Sequence, residues 1–276
     1  MPELPEVETI CRGLRPMLVG RDLIRVTARR ADLRIPLPSD LAARLEGRRV
    51  ERIDRRAKYI LIRLDDSTVL IVHLGMSGRL AIAPTPPPSL DPHDHVIFEL
   101  GGGARLIYRD PRRFGLITLA TESELESHPL LHHLGVDPLA VAFDGGHLSA
   151  LFKGRRTPIK AALLDQRVIA GLGNIYACES LFRARVSPLR LAASVAGRRA
   201  ERLAGAIRSV LEEAIAAGGS SLRDYVQASG ELGYFQLRLA VYGCAGQPCP
   251  GCDCGGTIRR IVQGGRSTFY CRHRQR

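Results

Sequence analysis

VERIDRRAKYILIRLDDSTVLIVHLG (residues 50–75) sets two runs rich in Val, Ile, Leu and Tyr on either side of a DDS turn. Short runs of β-branched and aromatic residues between turn formers read as strands, because such side chains pack well on a pleated surface. The pattern extends outward from about 22 to 120. HVIFEL (95–100), ARLIYRD (104–110) and FGLITLA (114–120) follow, with GGG (101–103) between the first two. Strands at this spacing predict a β-sandwich or barrel. PTPPPSLDPHDH (84–95) is a proline-rich loop between two of them.

On the N-terminal side, residues 5–17 predict a helix. Pro5 suits its first turn, and Glu6 and Glu8 complement the positive end of the helix dipole. On the C-terminal side the period changes after about 138. PIKAALLDQRVIAG (158–171), NIYACESLFRA (174–184) and AGRRAERLAGAIRSVLEEAIAAGG (196–219) have helical spacing and glycine-rich ends. GLGN (171–174) is a glycine turn between two helices whose exposed amides suit a phosphate. Beyond 241 the sequence predicts a metal-stapled β-hairpin. The fold class is therefore α+β, with segments 1–138, 139–236 and 237–276.

The 276 residues carry 40 Lys+Arg against 28 Asp+Glu, a formal net charge of +12. That excess points to a polyanionic partner, nucleic acid first. No apolar run approaches membrane-spanning length, and the N-terminus lacks a secretion signal, so a soluble cytoplasmic protein without a membrane partner is expected. Only Lys58, Lys153 and Lys160 are lysines; every other basic residue is arginine. An amine can give up its proton and a guanidinium cannot, so these three stand out. Of seven cysteines, five fall between 244 and 276, where six Arg face one Asp. Clustered thiols without a secretion signal point to metal rather than disulfides.

The ordered set MPELPEVE (1–8), RRAKY (55–59), HLGMSG (73–78), HDH (93–95), DPRRFG (110–115), GLGNIYACESLF (171–182), GYFQ (233–236), VYG (241–243) and GGRSTFYC (264–271) resembles the bacterial formamidopyrimidine-DNA glycosylases from end to end. The resemblance implies a β-sandwich with an N-terminal helix, a helix-two-turn-helix DNA-binding domain and a C-terminal zinc-finger β-hairpin. It implies a monomeric base-excision repair enzyme, both glycosylase and AP lyase. Its expected partner is duplex DNA carrying 8-oxoguanine, formamidopyrimidines or abasic sites.

The same resemblance assigns roles. With Met1 removed, Pro2 presents a secondary amine that attacks the sugar and forms a Schiff base, ahead of β,δ-elimination. Glu3 shuttles protons, Glu6 orients the site, Lys58 donates a proton, and Arg266 handles a phosphate. Met76, Arg112 and Phe114 fill the void left by a flipped base. His93, Arg112 and Arg156 contact DNA, and Lys160 and Asn174 bind phosphate. The stretch 218–236 closes over the flipped base.

The metal site departs from the family pattern. Cys249 and Cys252 form one C-x-x-C pair, but Arg274 stands where the second pair should end. Cys254 completes a four-cysteine zinc set with Cys249, Cys252 and Cys271, or His273 does, or packing alone holds the hairpin. Cys244 reads as an incidental thiol, and Cys11 and Cys178 as buried small hydrophobes. Two alternative functions remain open: an endonuclease VIII-like glycosylase for oxidised pyrimidines, and a binding protein that reads damage without cutting.

Overall fold

The computed structural model describes residues 2–83, 89–220, 233–251, 253 and 255–276. Cys252, Cys254, Met1, residues 84–88 of the proline-rich loop and residues 221–232 of the expected closing stretch lie outside these residues. The chain forms two compact units, Met1–His132 with Ala217–Tyr234, and His133–Ala216 with Phe235–Arg276.

The first unit opens with α1 (Leu4–Leu18), followed by β1 (Leu23–Ala28) and a short α2 (Leu41–Leu45). Seven strands follow: β2 (Val50–Arg56), β3 (Tyr59–Leu64), β4 (Thr68–His73), β5 (Arg79–Ala83), β6 (Asp94–Leu100), β7 (Arg105–Arg109) and β8 (Leu116–Thr121). They build two four-stranded antiparallel sheets, ordered β1-β6-β7-β5 and β2-β3-β4-β8. Val26, Phe98, Leu106 and Tyr108 from the first sheet share one core with Ile60, Ile62, Leu70 and Ile117 from the second. This is the predicted sandwich. Val7, Ile10, Cys11, Leu14 and Leu18 put one face of α1 into the same core, at the 3-4 spacing of a helix. Burying these side chains, at about 1.5–3 kcal/mol each, outweighs the modest propensity of the helix alone.

The register of the sheets has a direct consequence for function. His73 pairs with Leu116, and Arg79 pairs with Arg109. The β4–β5 loop (74–78) and the β7–β8 loop (110–115) therefore leave and re-enter the sandwich side by side.

The second unit holds α3 (Gly145–Phe152), α4 (Ile159–Leu164), α5 (Asn174–Arg183) and α6 (Arg198–Ala216), then the hairpin β9 (Arg259–Gln263) and β10 (Arg266–Tyr270). The turn before α5 is organised by Gln166, which donates to Leu172 O at 2.9 Å and accepts from Gly171 N at 2.9 Å. The β9–β10 turn is Gly264-Gly265, with φ of 52° and 73°. Positive φ at both central positions is what a two-residue hairpin turn requires.

Among the described residues, no helix is long and apolar enough to cross a membrane.

Candidate active site

In the first unit, buried polar side chains gather at the start of α1. Pro2 is buried, and Glu3 is only 5% exposed. Glu3 N donates to Glu6 Oε2 at 2.8 Å, so the side chain of Glu6 caps the helix N-terminus. The other oxygen, Glu6 Oε1, accepts from Ser220 N at 2.8 Å. One buried carboxylate thus joins the first residues of the chain to the 217–220 segment, which bridges Tyr234.

Lys58 is buried at the tight β2–β3 turn, where Ala57 has φ 54° and Arg56 pairs with Tyr59. Beside it lies His73 at the end of β4. Burial, then the cations of Lys58 and Arg34, push the His73 imidazole down to about 4. Its Nδ1 accepts from Gly75 N at 3.0 Å, which leaves the ring proton of the neutral form on Nε2. Nothing local in the HLGMSG motif marks His73 as buried beside a cation.

This titration predicts an acid limb in stability. The ordinary imidazole titrates near 6.5, so between about 6.5 and 4 the unfolded chain takes up a proton that folded His73 refuses. The stabilisation is complete above about pH 6.5 and is lost as pH falls towards 4. It is worth at most roughly 3 kcal/mol. In urea melts from pH 7 to 4, His73→Asn is expected to flatten that limb. An unaltered limb would count against a neutral, buried His73.

Met76 and Phe114 are 40% and 45% exposed, unusual for large apolar side chains. They sit on the two neighbouring loops, which meet closely at Gly75. A Cβ there would stand 2.3 Å from the carbonyl carbon of Phe114, and Gly75 has φ 61°. Arg112 stacks its guanidinium 4.6 Å from the Phe114 ring centroid. His93, exposed, lines a hollow of about 260 Å³ together with Ser77, Arg79, Asp91, Arg109 and Arg112. The structure therefore brings His93, Met76, Arg112 and Phe114 together.

The second unit carries its own cluster, at the hairpin tip. Arg266 is exposed and lines a hollow of about 240 Å³ with Lys160, Gln263 and Gly264. Lys160, expected to bind phosphate, is 1% exposed. Its ammonium donates to Ser267 O at 3.0 Å and Thr268 Oγ1 at 2.6 Å. Asn174, the first residue of α5, donates to the same Ser267 carbonyl at 3.0 Å. Both side chains hold the residue that follows Arg266, so their observed work is to brace the hairpin. Arg156 is exposed on the segment before α4. The carboxylate of Glu179 accepts from Ala240 N, Val241 N and Tyr242 N at 3.0, 3.0 and 2.8 Å, fixing the chain as it enters the hairpin.

Among the described residues there is no group of three or more metal-capable side chains. Cys271 is fully buried and shares an apolar cluster with Cys178 and Phe182, against which Cys249 and Cys244 pack. Cys271 Sγ accepts from Arg274 N at 3.4 Å. The Arg274 guanidinium turns away from this role, lying 4.9 Å from the Phe182 ring centroid and donating to Gly251 O. His273 is exposed. Cys244 Sγ donates to Tyr242 O at 3.6 Å, and burial raises its pKa.

The formamidopyrimidine-DNA glycosylase N-terminal domain family matches residues 1–117, and the formamidopyrimidine-DNA glycosylase H2TH domain family matches residues 134–226. A Rhodospirillum rubrum protein named formamidopyrimidine-DNA glycosylase is 60% identical over 281 residues, covering 100% of both chains. A solved structure of the MutM (Fpg) protein from Thermus thermophilus superposes with a TM-score of 0.87 at 43% identity, covering 99% of this chain and 98% of that one. The Lactococcus lactis Fpg in complex with DNA containing an abasic site superposes with a TM-score of 0.90 at 33% identity, covering 99% of each chain.

Proposed function

The chain belongs to the formamidopyrimidine-DNA glycosylase family, and from that membership we propose that it excises oxidised purines from duplex DNA and then cuts the strand through an imine on Pro2. It is a base-excision repair glycosylase acting on damaged DNA. The finer reading, 8-oxoguanine and formamidopyrimidines as substrates and AP lyase activity as the second step, rests on the residues. The observation that carries it is a buried Pro2 beside a buried Glu3 and its capping partner Glu6.

With Met1 removed, the lone pair of the Pro2 nitrogen attacks C1′ of the flipped nucleotide. The bond from C1′ to the base breaks, and the base leaves with a proton. A secondary amine gives a charged iminium with no further deprotonation, so the intermediate is already an electron sink. Glu3 supplies a proton to the sugar ring oxygen as the ring opens. Loss of a C2′ proton then expels the 3′ phosphate, and a second elimination expels the 5′ phosphate. Lys58 serves as proton donor in this sequence. Arg266 holds the departing phosphate, a task suited to a guanidinium that keeps its charge. His93, Arg112 and Arg156 contact DNA. Met76 and Phe114 enter the gap in the stack while Arg112 meets the orphaned base. The protein acts as a monomer in the cytoplasm.

A closed zinc site of the thiolate class fits the hairpin. Cys271 accepts an N–H bond on sulfur, as a ligating thiolate does, and Cys249 packs on the same cluster. We assign Cys249, Cys252, Cys254 and Cys271 as ligands, two of them outside the described residues. When bound, the ion staples the hairpin and takes no part in the chemistry. Purified protein is expected to carry one zinc per chain. Cys254→Ser should weaken its retention about tenfold or more, and His273→Ala should not. Metal-free wild-type protein would leave the hairpin to packing alone.

The enzymatic reading is tested by borohydride trapping on a duplex with one 8-oxoguanine opposite cytosine. A covalent protein–DNA species mapping to Pro2 is expected. Normal binding with no trapped species, Met1 being absent, would favour the non-cutting reader of damage.

A further inference from the structure

We propose that Asp110 is the positioning residue of the duplex-entering wedge, clamping the Met76 loop and the Arg112–Phe114 loop into one preformed rim. The proposal rests on the wedge roles given above to Met76, Arg112 and Phe114, and goes beyond them to what holds the three in place.

Asp110 is the first residue after β7 and is fully buried. Its carboxylate forms no ion pair among the described residues. A buried charge without a counter-ion is costly unless hydrogen bonds satisfy it, and here they come from both loops. Oδ1 accepts from Ser77 Oγ at 2.6 Å, on the residue after Met76. Oδ2 accepts from Gly115 N at 2.8 Å, on the residue after Phe114, and from Tyr108 Oη at 3.3 Å. Ser77 Oγ in turn accepts from Arg112 N at 3.3 Å. Each wedge residue is therefore in the clamp or one residue from a group in it.

The main chain of Asp110 completes the clamp. Its N–H donates to His93 O at 3.1 Å, and its carbonyl accepts from Arg113 N at 3.1 Å and His95 Nε2 at 2.9 Å. Gly115 must be glycine, since a Cβ there would lie 1.9 Å from the Tyr108 hydroxyl and 2.5 Å from His73 O. Arg113 is held at φ 56°, a strained conformation for arginine that the carbonyl bond offsets. The side chains of the wedge are exposed and would otherwise sample many rotamers. A rigid rim beneath them removes the need to order two loops at the moment the base is displaced.

The carboxylate accepts from all three groups that face it, and one of them, Gly115 N, can only donate. In Asp110→Asn the amide oxygen can serve Gly115 N, but the amide nitrogen then forces the Ser77 hydroxyl, which already accepts from Arg112 N, to turn from donor to acceptor. The test compares single-turnover rates on a duplex with 8-oxoguanine opposite cytosine and on a duplex with a preformed abasic site. The first requires a stacked base to be displaced; the second has none to displace. Asp110→Asn and the milder Ser77→Ala are expected to slow 8-oxoguanine excision about tenfold or more, with at least fivefold less effect on abasic cleavage. A plain loss of fold would lower both rates together, and the thermal midpoint of Ser77→Ala guards against it. Phe114→Ala serves as the control for the wedge itself. Selective loss in Phe114→Ala with equal losses on both duplexes in Asp110→Asn and Ser77→Ala would overturn the clamp alone. An unselective Phe114→Ala would overturn the wedge reading and the clamp with it.

Discussion

Replacing Pro2 with glycine is expected to abolish the borohydride-trapped complex and to slow 8-oxoguanine excision by about 100-fold or more. Pro2 is buried at the start of the chain, immediately before α1. Its ring fixes the rotation about N–Cα and so fixes where the nitrogen lone pair points. Glycine keeps an amine but makes it primary and mobile. Its imine must gain a proton before it can draw electrons, whereas the proline iminium is charged from the moment it forms. A second variant separates nucleophilicity from geometry. An N-terminal extension that leaves Pro2 intact turns its nitrogen into an amide with no usable lone pair. It should fail as completely as the glycine variant while melting at the same temperature as the wild type. Full-rate excision by either protein would remove Pro2 from the reaction.

Glu3→Gln is expected to lower base excision by about 100-fold or more, the span of general acid–base catalysis. The change keeps size and shape but leaves a side chain that neither takes up nor releases a proton. Glu3 is 5% exposed at the positive end of α1. The loss of its charge there costs about 1–2 kcal/mol of helix stability. A large kinetic effect with a small shift in Tm would therefore report on chemistry. On a duplex with a preformed abasic site no base remains to be released, so the loss should be smaller. Equal activity of Glu3→Gln and wild type on 8-oxoguanine would move the proton shuttle elsewhere.

Much of the architecture is legible in the sequence because it depends on local pattern. The runs at 50–75 and 95–120 became β2, β3, β4, β6, β7 and β8 of the sandwich, and 174–183 and 198–216 became helices. The 217–220 segment and Gly233–Tyr234 are different. The sequence puts them with the helical part, yet they group with the first unit, where Glu6 binds Ser220. No local pattern announces a hydrogen bond across 214 positions. Lys160 shows the same limit. The scarcity of lysine singled it out, but only packing reveals that its ammonium is enclosed by Ser267 and Thr268.

The sequence by itself determined the strand and helix pattern, the basic surplus, the thiol cluster and the proline at position 2. These are properties of residue type and order, and they survive without any knowledge of contacts. Tertiary structure alone decided which polar side chains are enclosed and what they face. Asp110, His73, Glu6 and Glu179 are ordinary letters in polar or mixed stretches. Their roles arise because the core removes water from around them; Asp110, Glu6 and Glu179 then take hydrogen bonds from Ser77, Ser220 and residues 240–242, far along the chain.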